Sequence, residues 1–384
     1  MPSDALVFAR ATTIRRGLRL RTGWVLKQFS PASRFAREII RWQALHGRKS
    51  LPWQNTREPY RIWLSEIMLQ QTQVSTVLAY YDKFLARFPT VESLASAEED
   101  EVLGLWSGLG YYSRARNLHR CAGQLVRLHA GQFPTTAAEL QTLPGIGRST
   151  AAAIAAFCFD ERVAILDGNV KRVLARVLGF DGDLAFKSFE HELWDHATAL
   201  LPRAPCKNTV APYTQGVMDL GATVCTSRRP TCSVCPVQAI CVAFALGKPE
   251  NYPVKSRLSK RSVQKLSLIW MHTGDGQLWL EKRPSSGIWG GLHCFPVFAN
   301  DDDLKSALPP AFRAKVEPLP GFVHVLTHKD LHISPWRVVL QKVWVKPQMS
   351  EQFGVCGAWH AKDQWPRLGL PAPIRKLLES QPAG

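Results

Sequence analysis

Two acidic residues occupy sequence settings in which a carboxyl group could take part in acid–base chemistry. Glu66 lies within an apolar, helix-like run whose members include Ile62, Trp63, Leu64, Ile67 and Met68. Burial disfavours the charged form of a carboxyl group, so a buried glutamate can stay protonated near neutral pH and donate a proton. From Glu66 alone, a glutamate on the polar edge of an amphipathic helix is the plainer interpretation.

Asp167 is the second of these residues, and it follows the apolar run of residues 163–166. This position places its carboxyl group at the start of the next predicted helix. An aspartate presented in this way either caps the helix or serves as a catalytic carboxylate. The positive end of the helix, with Lys171 and Arg172 nearby, is expected to keep Asp167 ionised.

Four of the nine cysteines fall within seventeen residues, with the spacing C-x6-C-x2-C-x5-C. An odd total and this clustering favour a metal site over a secreted disulfide framework, and they fit a reducing cytosol. Four thiolates can bind zinc or an iron–sulfur cluster, and the softness of sulfur does not choose between the two. The predicted ligands are Cys225, Cys232, Cys235 and Cys241.

A glycine-containing turn, LPGIG at residues 143–147, separates two helical patterns. Gly145 and Gly147 permit positive φ, and a turn of this kind can direct backbone N–H groups outward to hold a phosphate. The alanine-rich helix predicted over residues 150–157 adds the positive end of its dipole. The same turn could equally be an ordinary helix–helix connection.

The chain of 384 residues carries 48 lysines and arginines against 31 acidic residues, a formal net charge of +17. This balance suits a polyanionic partner, although a membrane surface or a ribosome would attract it as well. No run of eighteen apolar residues occurs, so the sequence predicts no membrane span. The first thirty residues hold six basic residues and one acid. They are typical of a disordered basic arm, a transit peptide or an upstream start codon.

The hydrophobic periodicity divides the chain into two structural classes. Residues 31–246 read as helical, and the proline- and lysine-rich passage over residues 247–262 reads as an exposed linker. From residue 263 to 384 the pattern changes to β-rich segments, among them 267–271, 278–281 and 338–345. We therefore predict a multidomain fold in which an all-α domain is followed by an α+β domain.

The segments LPGIGRSTAAAI and ILDGNVKRVLAR together resemble the helix-hairpin-helix, endonuclease III-like DNA glycosylases of base-excision repair. Within that superfamily they look like the adenine DNA glycosylases of the MutY type. The resemblance covers roughly residues 35–332 and is strongest as far as Cys241. It implies a monomeric, cytoplasmic bacterial enzyme that removes adenine paired with 8-oxoguanine or guanine in double-stranded DNA.

The resemblance also assigns roles to particular residues. The segment WLSEIMLQQTQV matches the catalytic-acid helix of the family, which makes Glu66 the proton donor. Asp167 then stabilises a cationic sugar, and Asn169 orders the site. Gln71 and Tyr111 match residues that fill the gap left by a flipped base. The other residues expected to contact DNA are Gly145, Gly147, Ser149 and Lys171.

The loop over residues 225–241 matches the loop that closes the catalytic domain of this family. The resemblance therefore favours one 4Fe-4S cluster over zinc. Its role is expected to be structural, because Arg228 and Arg229 in the loop could then be held against a phosphate.

The segment EKRPSSGIWGGLHCFP at residues 281–296 resembles the opening of a Nudix fold. No glutamate-rich, metal-binding helix follows Pro296, so the fold is expected to serve binding. In the family this domain inspects the base opposite the target through a loop that corresponds here to residues 322–328. Its expected contacts are His324, Leu326, Thr327 and His328. Leu326 replaces an aromatic residue and Thr327 a serine, whose hydrogen bond a threonine can also donate.

Three alternatives stay open. A bifunctional endonuclease III-like glycosylase and abasic-site lyase would need a lysine nucleophile directly after Arg148, where this chain has Ser149. A Nudix-type nucleotide hydrolase would need the missing glutamates. A catalytically silent DNA-binding protein would have no use for both carboxylates in their motifs.

Overall fold

The computed structural model describes residues 34–203, 208–256, 261–340 and 357–380. The predicted basic extension, residues 1–30, lies outside them. The chain forms two compact units, each assembled from two stretches of sequence. We call them unit 1, which combines Met1–Ile67 with Gln132–Leu258, and unit 2, which combines Met68–Gly131 with Ser259–Gly384.

The first helices in chain order are α1 (Arg34–His46), α2 (Pro59–Leu69), α3 (Val74–Arg87), α4 (Val91–Ala95), α5 (Glu99–Leu105), α6 (Ser113–His129), α7 (Ala137–Leu140) and α8 (Arg148–Phe159). They are followed by α9 (Gly168–Leu178), α10 (Lys187–Ala199), α11 (Val210–Thr223), α12 (Val242–Ala245), α13 (Asp301–Ala307), α14 (Pro310–Arg313) and α15 (Ala372–Ser380). The strands are β1 (Ser262–Thr273), β2 (Leu278–Lys282), β3 (His293–Cys294), β4 (Val297–Phe298), β5 (Glu317–Pro318), β6 (Phe322–Val325), β7 (Lys329–Leu340) and β8 (Gly357–His360).

Unit 1 is helical in its described residues, as its hydrophobic spacing predicts. On α1, Phe35, Ile39 and Trp42 recur at helical intervals and are buried. They share one core with residues of α9, α10 and α11, among them Val173, Leu174, Leu193, Trp194, Val217 and Leu220. This core holds α9, the helix that begins next to Asp167.

Unit 2 contains a mixed sheet with the strand order β3-β2-β1-β7-β5, to which β4, β6 and β8 pair at β1, β7 and β2. The long strands β1 and β7 are parallel, and Ser262 lies opposite Lys329. Alternate residues of β1 enter cores on opposite faces of the sheet. One face packs on Ile374 of α15 and the other on Leu304 of α13. The α+β class of the C-terminal region is therefore confirmed.

Helices α3 to α6 belong to unit 2 because they pack on this sheet domain. Asp100 forms ion pairs with His293 (3.1 Å) and Lys282 (2.8 Å), and its hydrogen bonds, first that with His293, lower its pKa to about 2. Ser107 Oγ donates to the carbonyl of Leu370 at 3.1 Å. The helices that the sequence assigns to one continuous domain are thus shared between two packing units.

The described part of the predicted linker is anchored on unit 1. Asp183 accepts hydrogen bonds from the backbone N–H and the hydroxyl group of Ser256. Arg176 donates from Nε to the carbonyls of Pro249 (2.7 Å) and Tyr252 (3.2 Å). Among the residues that the structure describes, none of the helices has both the length and the hydrophobicity to cross a membrane.

Candidate active site

Glu66 lies on α2, where the side chains of Ile62, Trp63, Leu64, Ile67 and Met68 are all buried. The Glu66 side chain is half-buried, and its carboxyl group is surrounded by protein atoms. Burial, and then the charge of Asp167, raises the pKa of Glu66 to about 8. The carboxyl group is therefore mostly protonated at neutral pH, as a general acid must be.

Asp167 is the N-cap of α9, and its Oδ1 accepts a hydrogen bond from the backbone N–H of Val170 at 2.7 Å. Asn169 Nδ2 donates to Asp167 Oδ2 at 3.5 Å. Burial raises the pKa of Asp167 and outweighs these bonds and the charge of Arg172. Lys171 was expected to keep Asp167 ionised, but its ammonium group pairs with Glu190 at 2.6 Å instead.

Two neighbouring carboxyl groups of this kind can divide the work of breaking a glycosidic bond. A protonated carboxyl group donates its proton to the leaving group, and an ionised one stabilises positive charge on the sugar. The charge of Asp167 contributes to the raised pKa of Glu66, so the two groups interact within unit 1. The sequence left two alternative roles for Asp167, a helix cap or a catalytic carboxylate. In the structure the two roles are compatible.

The glycine turn connects α7 to α8 with a hydrogen bond from the Ile146 N–H to the Leu143 carbonyl at 3.2 Å. Gly145 has φ +77°, which requires glycine, whereas Gly147 is an extended N-cap at φ −81°. A Cβ atom at Gly147 would meet nothing within 4 Å. The approach to the first turn of α8, whose N–H groups lack acceptors within the helix, is thus open.

Ser149 lies in that first turn but does not point its hydroxyl group outward. Its Oγ accepts a hydrogen bond from the backbone N–H of Leu166 at 3.2 Å. Ser149 thereby fixes the residue that precedes Asp167. The neighbouring Arg148 packs its guanidinium group over the ring of Trp194, 4.0 Å from the ring centre.

The four predicted cysteine ligands line one cavity in unit 1 together with apolar residues of α9 and α11. All four are free and half-buried. Within the described residues, no three acidic, histidine or cysteine side chains are arranged to hold a single metal ion. A cavity lined by four thiols offers the soft donor set that zinc and iron–sulfur clusters both accept.

Arg172 and Arg176 of α9 connect this loop to the end of the helix at which Asp167 lies. Arg172 donates to Asn169 Oδ1 (2.8 Å) and to the carbonyls of Gly221 (2.6 Å) and Cys225 (2.7 Å). Arg176 is 2% exposed, and its Nη1 lies 3.3 Å from Cys225 Sγ. The helix therefore presents Asp167 at its start and holds the cysteine loop along its length.

In unit 2, Arg114 holds together two loop tips, residues 70–72 and 109–111, which we call the wedge tips. Its Nη1 donates to the carbonyls of Met68 and Gln70, and its Nη2 to Thr72 Oγ1 and to the carbonyls of Leu109 and Gly110. Gln71 and Tyr111 are exposed and have positive φ, +58° and +48°. This strained, exposed backbone suits side chains that are presented to a partner.

The predicted opposite-base residues fall on β6, in the case of His324, and on the turn between β6 and β7. Thr327 and His328 are exposed, and we call residues 326–328 the hairpin tip. Leu326 instead packs against the core of the sheet domain, and His324 lies beside Trp289 with ring centres 6.4 Å apart. The hydroxyl groups of Thr327 and Tyr111 are hydrogen-bonded, so the hairpin tip and one wedge tip meet within unit 2.

The sequence analysis did not identify Arg176 and Arg114, which hold loops in place, or the thiol of Cys158. Arg176 falls on the apolar stripe of α9, between Val173 and Val177, and a cation in that position signals a buried partner. Arg114 offers no comparable signal, because four of its five acceptors are backbone carbonyls, which have no signature in the sequence. Cys158 lies near Glu66, and burial, then the charges of Glu58 and Glu66, raises its pKa to about 12.

Residues 64–197 match the HhH-GPD superfamily of base excision DNA repair proteins, and residues 268–380 match the NUDIX domain. The chain is 38% identical over 353 residues to an adenine DNA glycosylase of Buchnera aphidicola subsp. Acyrthosiphon pisum, covering 90% of this chain and 97% of that protein. It is 41% identical over 382 residues to an adenine DNA glycosylase of Homo sapiens, covering 83% and 69% respectively. A solved thermostable thymine-DNA glycosylase is 28% identical and covers 55% of this chain and 95% of that chain, with a TM-score of 0.49.

Proposed function

Since the chain belongs to the adenine DNA glycosylase family, we propose that it excises adenine opposite 8-oxoguanine or guanine in double-stranded DNA. Its class is that of a base-excision repair glycosylase, a hydrolase of N-glycosyl bonds. The observation that carries the proposal is the pKa of Glu66, raised to about 8 beside Asp167. A glutamate on the polar edge of a helix, exposed to solvent, would keep its ordinary pKa.

Catalysis begins with extrusion of the adenine, because a side chain cannot reach its glycosidic bond inside a duplex. Glu66 then donates its proton to a ring nitrogen of the purine as the bond between that base and C1′ breaks. The electron pair leaves with the base, and positive charge develops on the sugar. Water adds to C1′ and passes a proton to the Glu66 carboxylate, which restores the acid and leaves an abasic site.

Asp167 faces this developing charge. Its pKa is raised in the free protein by burial, which means that its carboxylate is poorly solvated. A poorly solvated carboxylate interacts strongly with a cation that forms beside it. Asn169 and the Val170 N–H fix the direction of the carboxylate oxygens, so little reorganisation is needed when the sugar becomes cationic.

The positions of the exposed residues support the proposed DNA contacts. Gly145 forms the turn at φ +77°, and the open space beside Gly147 leaves the start of α8 accessible to a phosphate. The wedge tips would fill the space of the flipped base, and Thr327 at the hairpin tip would contact the opposite base. Ser149 contributes by placing Leu166, and Lys171 can exchange its partner Glu190 for a phosphate.

For the cysteine loop we propose one 4Fe-4S cluster held by Cys225, Cys232, Cys235 and Cys241. The shared cavity and the soft, thiol-only donor set fit this group. When bound, the cluster supplies iron–thiolate bonds that hold the loop against α9. Arg172 and Arg176 then transmit that fixed position to the start of the helix. The monomeric state and the cytoplasmic location stay predictions.

The test of the function uses purified protein and duplexes in which adenine lies opposite 8-oxoguanine, guanine or thymine. Alkali-labile sites should appear with the first two opposite bases and hardly at all with thymine. Strand breaks that form without alkali would favour the bifunctional lyase, and excision that is equal opposite all three bases would contradict the proposed specificity.

A further inference from the structure

Ser107, which lies two residues before the wedge tip at 109–111, is held by the C-terminal part of unit 2. It is buried, and its Oγ accepts a hydrogen bond from Arg375 Nε at 2.9 Å and donates one to the Leu370 carbonyl at 3.1 Å. These partners lie 268 and 263 positions further along the chain. One buried hydroxyl group therefore ties the base of the wedge tip to α15 and to the segment before it.

Arg375 is itself fixed at its other end. Its Nη2 donates to the carbonyls of Pro366 (3.2 Å) and Leu368 (3.0 Å), in the segment that leads into α15. That segment packs closely on α5, because a Cβ atom at Gly104 would collide with the carbonyl of Arg367. A guanidinium group donates from a rigid planar fork, so acceptors on two sides of it are held in one orientation. Arg375 thus joins a fixed segment of the sheet domain to Ser107.

The backbone that follows Ser107 needs such support. Gly108 has φ +106° and Tyr111 has φ +48°, and a left-handed conformation of a tyrosine persists only where its surroundings impose it. The Tyr80 hydroxyl group donates to the Ser107 carbonyl at 2.9 Å, and a Cβ atom at residue 108 would collide with that hydroxyl group. Arg114 holds the wedge tip from within, so Arg375 and Tyr80 fix the point at which the chain enters it.

We propose that Arg375 is a positioning residue for base extrusion, which acts through Ser107 on the place of Tyr111 at the wedge tip. This inference rests on the proposed function, in which the wedge tips fill the space of the flipped base. Thr327 of the hairpin tip contacts the same tyrosine through its hydroxyl group. The two supports have different consequences. Loss of Thr327 should change the preference between opposite bases, whereas loss of Arg375 should weaken extrusion opposite every base.

The test measures 2-aminopurine fluorescence next to the target adenine, together with single-turnover excision, in the full-length protein. In Arg375→Met and in Ser107→Ala, both quantities should fall about tenfold opposite 8-oxoguanine and opposite guanine, so their ratio should stay unchanged. An adenine opposite an abasic-site analogue is unpaired and costs less to extrude, so the loss there should shrink to about twofold. Lys376→Met, at an exposed position of the same helix, is the control and should behave as the wild type does.

The double variant shows whether the two residues act together. Because they share one hydrogen bond, Arg375→Met with Ser107→Ala should lose no more than the weaker single variant. Thermal unfolding checks that each variant folds, and Ser107→Ala, which keeps the guanidinium group, decides the matter if Arg375→Met does not.

Three outcomes would overturn the proposal: wild-type extrusion in either single variant, an equal loss with paired and unpaired adenine, or losses that multiply in the double variant. The fluorescence signal reports extrusion without excision. A wild-type protein that removes no adenine would therefore contradict the proposed function and leave the extrusion result to be judged separately.

Discussion

The proposed catalytic pair in unit 1, Glu66 and Asp167, and the hairpin tip in unit 2 are built in opposite ways. The pair is surrounded by protein, and burial raises the pKa of both carboxyl groups. The hairpin tip carries Thr327 and His328 on an exposed turn. Acid catalysis needs a dry environment that sets protonation, whereas reading a base needs groups that remain accessible. Substitutions in the pair should therefore change rates, and those in the tip should change discrimination.

The largest expected effect is that of Glu66→Gln. The amide keeps the shape of the side chain but cannot donate the catalytic proton, so single-turnover excision should fall about 10²–10⁴-fold. Affinity for a duplex with adenine opposite 8-oxoguanine should change little. Glu38→Gln, at a half-buried position of α1, is the matched control and should leave the rate unchanged. Near wild-type excision by Glu66→Gln would remove Glu66 from the mechanism.

Asp167→Asn separates the charge of this residue from its capping role. Asparagine caps helices about as well as aspartate, so the melting temperature should hardly move. Excision should fall about 10²–10³-fold because the carboxylate no longer faces a cationic sugar. A loss smaller than about tenfold, roughly 1.4 kcal/mol, would mean that Asp167 acts only as the cap of α9.

Arg114→Met tests whether the wedge tips depend on the guanidinium group that holds them. Its loss leaves five acceptors, four in the wedge tips and one at the end of α2, without their donor, so base extrusion and excision should each fall at least about tenfold. Fluorescence of 2-aminopurine next to the target adenine reports the extrusion directly. Arg120→Met, at an exposed position of the same helix, is the control. Unchanged extrusion in Arg114→Met would show that the tips keep their shape without it.

The smallest expected effect is that of Thr327→Ala combined with His328→Ala. Excision opposite guanine should hardly change, and the preference for 8-oxoguanine over guanine should fall about tenfold, the worth of one or two hydrogen bonds. Thr327→Ser, which keeps the hydroxyl group, should retain the preference. The ratio of single-turnover rates opposite the two bases measures this effect, and an unchanged ratio would mean that the opposite base is read elsewhere.

Local sequence patterns predicted the elements that present the site. The apolar spacing of α1, the turn before α8 and the position of Asp167 at the start of α9 are all as expected. These features depend on neighbours in the sequence, which periodicity and capping rules describe. Of the two turn glycines, however, only Gly145 uses its freedom of φ.

Long-range side-chain contacts could not be predicted in the same way. Lys171 is close to Asp167 in sequence but pairs with Glu190, whose position depends on how α10 packs against α9. Arg114 finds backbone carbonyls more than forty residues away, at Met68 and Gln70. The grouping of α3–α6 with the sheet domain likewise follows from contacts such as that of Asp100 with His293. Composition contains no information on these partners.

The central claim, that burial keeps Glu66 protonated for catalysis, is tested most directly by the pH dependence of single-turnover excision. The acid is active when protonated, and its pKa is about 8. The rate opposite 8-oxoguanine should be level from about pH 6 to 7 and fall about tenfold per unit above about pH 8. Glu66→Gln should show only a low, flat residual rate. A wild-type rate that is unchanged at pH 9.5, or that rises through pH 8, would contradict the account.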